Sequence, residues 1–572
     1  MLEKTFYFIS IFLVSLMILG IYLGYSGLIS FQVTLITIII SAVISLFIVV
    51  KQNKEADKNF KSKKKKLTVL VFLIFLFFFA FLVFPEGVFP VTCSDIMNHS
   101  LATRIIGQTG FIPNSESDAF FSGIPLTYVH VYPQGFYAIS AQIYTLFPNA
   151  YLVNSVLAII LTFFSAIGIF IITKKISNEN SAILATLIFF SSITTLWIIE
   201  SGFIPQILGS FFLLVILLAY IQKNKVLFFI SSIGLISYPP LIAVLFLFLI
   251  IDFLLKSNFS FKKIQKNFFE WMKYFILAII SFFVVFPEFF GLLIQYTTVE
   301  KFWKGALLIR GGIFSPNPFG LLIFVPVLLV LYLFIFRKKK FSIGLRPCFA
   351  MLVAGLLMSG AVVFYFIINL LLTIVDVKQI HSLYQAVKFF YFALIIASIF
   401  SGIGFELLFS KFTKGKIKFI LIAVLLFGVV YFFGYSTVLF AKDSEVIGFY
   451  STSEFVESLP EGSIIGVDSC ALKLDYVPNP FIYKSLFDNP DPSGENICRQ
   501  TEITRAFRPS YATHDFIDGR FRIFDSTSKE LVLIGNEINP TMSNINYFYT
   551  TCLSINAPLI FESGKTRIYK IN

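Results

Sequence analysis

The chain has 572 residues, of which 57% are hydrophobic and only 13% charged, with 74 Phe against 3 Trp and a mean hydropathy of +0.85. A water-soluble protein of this length cannot bury so much apolar surface, and the composition also excludes a disordered chain, a collagen-like chain and a disulfide scaffold. The net charge of +13 divides into −5 for residues 441–572 and +18 for residues 1–440, where Lys and Arg recur in short clusters between apolar runs, as loops on one side of a membrane do; a nucleic-acid partner is not expected.

Crossing about 30 Å of hydrocarbon takes roughly 20 residues of helix. Thirteen apolar runs are predicted to do so, near 5–24, 28–50, 67–84, 150–173, 181–200, 203–221, 226–238, 239–255, 274–293, 319–336, 348–371, 389–410 and 419–440. The seventh and eighth are short, and Tyr238-Pro239-Pro240 between them reads either as a break between spans or as the kink of a re-entrant pair. The basic clusters are Lys51 to Lys66, Lys174-Lys175, Gln222 to Lys225, Lys256 to Lys273, Arg337 to Lys340 and Lys411 to Lys418. With thirteen spans they all fall on one side, expected to be the cytoplasm together with the N-terminus. Residues 85–149, 294–318, 372–388 and everything after 440 are then outside. The first apolar run is expected to stay as a span, since no small-residue cleavage pattern follows it.

Three parts are expected. Residues 1–66 are two N-terminal spans and a basic loop, residues 67–440 are the main membrane part with the large outer loop 85–149, and residues 441–572 are a small extracytoplasmic α/β domain. In that last part Ser451-x-x-Glu454 is a capping box, Ser463 to Val467 reads as a buried strand, and Leu559–Phe561 with Thr566–Tyr569 reads as a terminal hairpin. Cys93, Cys470, Cys498 and Cys552 fall outside and Cys348 near the inner side; their spacing matches no zinc motif, and a Cys470–Cys498 disulfide is one pairing open to them.

Polar groups near a bilayer are costly and point to function. The acidic residues of the membrane part outside the basic loops are few: Glu86, Asp95, Glu116, Asp118, Glu200, Glu288, Glu300 and Asp376, with Asp252 near an inner helix end and Glu406 deep in a late span. The densest constellation is Cys93-Ser94-Asp95-Ile96-Met97-Asn98-His99, then Arg104, Gly110-Phe111-Ile112-Pro113 and Tyr132-Pro133-Gln134-Gly135. Residues 94–108 have helical composition, so Asp95 and His99 at i,i+4 share a face. The plainer alternative makes Asp95 an N-cap and His99 its surface partner.

Asp-x-x-x-His after an early span, a stretch ending Gly-Phe-Ile-Pro, and Tyr-Pro-x-Gly-Phe-Tyr leading into the next helix resemble the first outer loop of the GT-C superfamily of glycosyltransferases. The resemblance extends to Glu200 through Gln206, to Tyr384 through Tyr391 entering a late span, and to the outer C-terminal domain. It covers roughly residues 67–572, by architecture more than by motif. Two departures are the extra pair of spans before the Asp loop and the lack of a Trp-Trp-Asp-Tyr-Gly signature, which points away from the oligosaccharyltransferase branch.

The resemblance implies a GT-C-like polytopic α-helical enzyme with a catalytic carboxylate, Asp95, and a polyprenyl-phosphate-linked sugar as donor. Such a transfer needs a base for the acceptor hydroxyl, and direct attack inverts the anomeric carbon. It also needs cations for the departing phosphate: Lys388, or else a lysine that only anchors its helix end, with His99, Arg104 and Arg310 as further candidates. Glu200 and Gln206 either bind sugar hydroxyls or cap helices; Tyr132 with Tyr128, and Tyr384, either meet the sugar or belong to an interfacial aromatic belt. Asp95 with Glu116 and Asp118 offers loose ligation for a divalent ion, and no metal or other cofactor is expected. The acceptor is a glycan, lipid or protein. A transporter or flippase of lipid-linked sugars, and a ligase or polymerase of surface glycans, are the rival functions.

Overall fold

The computed structural model describes residues 2–52, 99, 102–103, 106–112, 134–148, 150–191, 195, 198, 203–257, 260–285, 344–372, 383–412, 455, 459–460, 463–467, 513–517, 520–524, 530–533, 546–550, 556–563 and 566–571. The membrane part is helical: α1 (Leu2–Tyr25), α2 (Phe31–Gln52), α3 (Gln134–Leu146), α4 (Ala150–Ile176), α5 (Glu179–Ser191), α6 (Ile204–Ile221), α7 (Lys225–Gly234), α8 (Pro240–Ser257), α9 (Phe261–Phe283), α10 (Leu345–Leu372) and α11 (Leu383–Phe412). Among the described residues, Leu2–Tyr25, Phe31–Lys51, Val153–Ile176, Ile204–Ile221 and Pro240–Ser257 are long and apolar enough to cross a membrane. The expected spans 67–84, 319–336 and 419–440 lie outside the described residues.

Helix α2 shows what solvent these helices are built for. Thr34, Thr37, Ser41 and Ser45 form its buried stripe, whereas Ile39, Val43 and Phe47 are 62%, 61% and 67% exposed. Small polar residues inside and large apolar ones outside suit lipid and invert the pattern of a soluble protein. Two of the hydroxyls are satisfied within the helix, Thr37 donating to the Val33 carbonyl and Ser45 to that of Ser41, both at 2.6 Å.

The bundle has a basic end, marked by Lys174 and Lys175 in the last turn of α4 and Lys256 in that of α8, and an opposite, far end. Helices α7 and α8 form a hairpin that starts and finishes at the basic end. Asn224 caps α7 by accepting from Leu227 N at 3.0 Å, and a three-residue 3-10 turn, Leu235–Ser237, precedes the Pro239-Pro240 step. Ten helical residues rise only about 15 Å, so the first limb is shorter than a crossing, while the second, Pro240–Ser257, is long enough for one. The hairpin apex packs on α3 at Gly135, where a Cβ would lie 3.0 Å from Ser237 Cα and 2.9 Å from Met17 Sδ; glycine is what lets three elements meet there.

Two expectations are corrected. Within residues 85–149, read as one outer loop, Gln134–Leu146 is a buried helix, too short to register as a span. Helix α9 begins at Phe261, well ahead of the expected 274, because the lysines that read as a loop occupy one side of a continuous amphipathic helix.

The C-terminal part is a seven-stranded sheet in the order β2-β3-β4-β1-β5-β7-β6. Its strands are β1 (Ile464–Val467), β2 (Thr513–Ile517), β3 (Arg520–Phe524), β4 (Glu530–Leu533), β5 (Tyr547–Thr550), β6 (Leu559–Ser563) and β7 (Thr566–Lys570). Strand β1 sits centrally with parallel neighbours β4 and β5, as its apolar Ile-Ile-Gly-Val sequence suits, and the expected terminal hairpin is β6–β7. Phe455, the described helical residue of the expected capped helix, stacks on Phe561 at 4.5 Å.

Candidate active site

His99, Ala102, Thr103 and residues 106–109 are helical. His99, Ala102, Thr103 and Ile106, at i, i+3, i+4 and i+7, are all at most 1% exposed, while Gln108 and Thr109 face out, so one face of this segment is wholly packed. Its partner is α3. His99 Nδ1 lies 2.9 Å from the Tyr137 hydroxyl, Thr103 Oγ1 2.7 Å from Ser140 Oγ, and a Cβ on Gly107 would meet Tyr144 Cδ1 at 2.3 Å. The pairs 99/137, 103/140 and 107/144 advance together, which makes the two helical segments parallel neighbours. The segment ends at Gly110, whose φ of +73° only glycine adopts freely and which brings its carbonyl to Ile29 N at 3.2 Å.

The ring of His99 is also held edge-on by Phe136, with centroids 5.6 Å apart. Asn154 of α4 completes the cluster by donating from Nδ2 to Thr103 Oγ1 at 3.2 Å. Gln142 ties α3 to α1, donating to the Leu16 carbonyl at 3.0 Å and to that of Ala138 at 2.6 Å. With Tyr137 donating into Nδ1, the imidazole carries its proton on Nε2; the opposite tautomer reverses the roles. A buried imidazole bonded to a phenol and packed edge-on against a phenyl ring, one turn from a Thr-Ser-Asn cluster, is a polar centre inside an apolar bundle.

His99 is therefore no surface residue: at 1% exposure it corrects the reading in which it merely accompanies an N-cap. Gln206 sits in the first turn of α6, 1% exposed, behind an N-cap Phe203 that makes no side-chain cap bond. Tyr384 and Lys388 are the second and sixth residues of α11, and with Tyr391 and Ile395 they fall on one stripe at i, i+4, i+7 and i+11. Tyr391 and Ile395 are fully buried. Asp95, Arg104, Tyr132, Glu200 and Arg310 lie outside the described residues, as do Tyr128, Glu116, Asp118, Cys470 and Cys498. No group of three or more His, Cys, Asp or Glu able to hold a metal occurs among the described residues.

Sequence reasoning passed over Tyr137, Ser140 and Asn154. Tyr137 closes the Tyr-Pro-x-Gly-Phe-Tyr stretch, and an Asn within an apolar span was the available signal for α4. It also passed over the networks of the basic end. Asp252, fully buried, accepts from Arg346 Nε at 2.8 Å and from the Tyr220 hydroxyl at 2.7 Å, joining α6, α8 and α10. Glu3 pairs with Lys175 at 3.1 Å and accepts from Tyr7 at 2.8 Å and from Gln222 Nε2 at 2.7 Å, joining α1, α4 and the turn after α6. Glu406, read as deep in its span, accepts from Asn180 at 3.3 Å, which sets it at the basic end.

No protein-family model and no curated protein matches the chain. Among solved structures, the chain is similar to ArnT from Cupriavidus metallidurans bound to undecaprenyl phosphate, with a TM-score of 0.46 and 10% identity over 89% of this chain and 99% of that one. It is similar to the oligosaccharyltransferase of Archaeoglobus fulgidus in its apo form, with a TM-score of 0.38 and 13% identity over 72% of this chain and 63% of that one. For AglB of the same organism, in complex with an inhibitory peptide and a dolichol-phosphate, the TM-score is 0.35 and the identity 15%, over 71% of this chain and 63% of that one.

Proposed function

We propose that this protein is a membrane glycosyltransferase that moves a sugar from a polyprenyl-phosphate-linked donor to an acceptor hydroxyl on the extracytoplasmic side, the far end of the bundle. The observation that carries the reading is the meeting of two sequence stretches: His99, from Asp-x-x-x-His, contacts both Phe136 and Tyr137, from Tyr-Pro-x-Gly-Phe-Tyr. The two motifs of the resemblance are thus halves of one polar centre.

In this reading Asp95, one helical turn before His99 in sequence, takes the proton of the acceptor hydroxyl. The acceptor oxygen bonds to the sugar C1 as the bond from C1 to the phosphate oxygen breaks, with inversion, and the lipid phosphate departs. Its charge is met by Lys388, His99, Arg104 and Arg310, side chains doing the work that a divalent ion does elsewhere. Lys388 suits the role because its stripe on α11 continues into buried Tyr391 and Ile395. Glu200, Gln206, Tyr132 and Tyr384 contact the sugar, and the acceptor is a glycan, lipid or protein. A transporter would need ionisable groups near the midplane, whereas Asp252 and Glu406 are engaged at the basic end.

The test is transfer by the full chain in proteoliposomes, offered a panel of polyprenyl-phosphate sugars, compared with Asp95→Asn. The variant is expected to lose about 10²–10⁴-fold of the rate, the usual share of a general base. Full transfer by a folded Asp95→Asn removes Asp95 as the base, and sugar translocation without transfer by the parent replaces the enzyme with a flippase.

A further inference from the structure

The outer side of α9 combines two kinds of residue that water alone does not reward. Phe261, Phe269, Ile276, Ile280 and Phe283 lie on one helical stripe and are 82%, 73%, 45%, 48% and 49% exposed. Exposed Lys262, Lys266 and Lys273 run directly beside the first half of that stripe, and exposed Lys263 lies on the next face. The inner side is fixed. Trp271 Nε1 donates to the Leu249 carbonyl of α8 at 2.9 Å, and Tyr274 packs edge-on against Tyr220 at 4.7 Å and Phe228 at 5.0 Å. The orientation of the outer side is therefore set by packing.

From this arrangement we infer that the first half of α9 is a binding platform for anionic phospholipid headgroups of the leaflet at the basic end. The stripe is apolar throughout, but it acquires lysines only over residues 262–273, where a helix leaving the hydrocarbon passes the headgroups. Phe261 and Phe269 insert beside the acyl chains while the lysine ammonium groups reach the phosphates, the division of labour of an interfacial amphipathic helix. Lys225 and Lys256 add positive charge from neighbouring elements. Their fields reach Glu270, whose carboxyl is held below its usual range chiefly by the hydrogen bond from Lys273, then by that lysine's charge, with Lys225 and Lys256 adding to it. Glu270 is the one acidic residue of α9, so the platform stays strongly cationic.

Trp271, partly exposed on the same turns of α9 as the lysines, is the reporter. The full chain carrying Trp197→Phe and Trp303→Phe is reconstituted in bilayers containing brominated phosphatidylglycerol or brominated phosphatidylcholine, and quenching of Trp271 gives the relative affinity for the two lipids. A lysine near an anionic surface contributes about fivefold in binding. A preference of at least tenfold for phosphatidylglycerol is expected, falling to about onefold in the Lys262→Gln, Lys263→Gln, Lys266→Gln variant. These positions are exposed, and an unchanged unfolding temperature verifies the fold. Soluble inorganic phosphate is expected not to compete. Equal quenching by both lipids in the parent, or a preference the triple variant retains, overturns the proposal, and competition by inorganic phosphate replaces it with a soluble-anion site.

Discussion

The two ends of the helical bundle handle buried polarity in opposite ways. At the basic end carboxylates are answered by cations: Asp252 by Arg346, Glu3 by Lys175, Glu179 by Lys174. The far half instead holds an imidazole, hydroxyls and amides, and there the hydroxyls of Ser155, Ser210 and Tyr391 are buried without a hydrogen-bond partner among the described residues. Ser41, midway along α2, is the comparable hydroxyl elsewhere, and at the basic end Glu179, paired with Lys174 through Oε2, keeps its Oε1 buried without a hydrogen-bond partner among the described residues. Neutralised pairs that tie neighbouring helices together serve cohesion, since an uncompensated buried charge is expensive. Buried hydroxyls left open call for a bonding partner and suit a ligand rich in hydroxyls. The contrast assigns cohesion to one end and leaves the other suited to the proposed chemistry.

Arg346 offers the hardest test of that division. Replacing it by Ala leaves Asp252 buried with, among the described residues, only the Tyr220 hydroxyl to compensate it, and unpairing a buried ion of this kind costs about 3–5 kcal/mol. Chemical or thermal unfolding in detergent is expected to show that loss, while the folded fraction retains transfer. Normal stability with lost transfer would place the working site at the basic end.

At the far end the milder Tyr137→Phe change removes the hydroxyl that meets His99 Nδ1 and keeps the ring that packs with Phe136. The expected cost in stability is about 1 kcal/mol. Transfer is expected to fall about tenfold, through kcat rather than KM, because His99 loses the bond that selects its tautomer. The ¹⁵N resonances of His99, assigned by their loss in His99→Gln, should show a changed tautomer balance. Full activity with an unchanged spectrum would make Tyr137 a packing residue only.

Much of this contrast was hidden in the sequence for a physical reason: its contacts are non-local. His99 and Tyr137 stand 38 residues apart, and Asp252 and Arg346 stand 94 apart. Spacing can propose a face for each residue but cannot say which faces meet. Long spans were legible because an apolar run has to be long to cross lipid, so α1, α4 and α6 lie close to where the sequence puts them. Helix α3 escaped because thirteen residues with Gly135, Ser140 and Gln142 look like a loop to any test of length. The start of α9 escaped because average hydropathy cannot distinguish lysines along one side of a helix from lysines in a loop. Tyr384 and Lys388 were legible as the entry to a late helix, and α11 begins at Leu383.

The smallest effect should come from the exposed pair on α9. Lys273 donates to Glu270 at 2.6 Å, but both side chains are at least half exposed, and such pairs contribute little because water and salt screen them. Since the Glu270 carboxyl is held below its usual range, whatever it contributes is present above the ordinary carboxylate titration and lost as pH falls through the lowered value. Glu270→Gln should therefore change the unfolding temperature by about 1 °C or less at neutral pH. That difference should shrink further as the medium is acidified toward about pH 3. The comparison between the ends depends on this outcome. If losing a solvent-facing carboxylate at the basic end weakened the fold as much as losing Arg346, cohesion there would come from the whole charged surface, and burial would no longer separate the groups that hold the helices from the groups that face lipid.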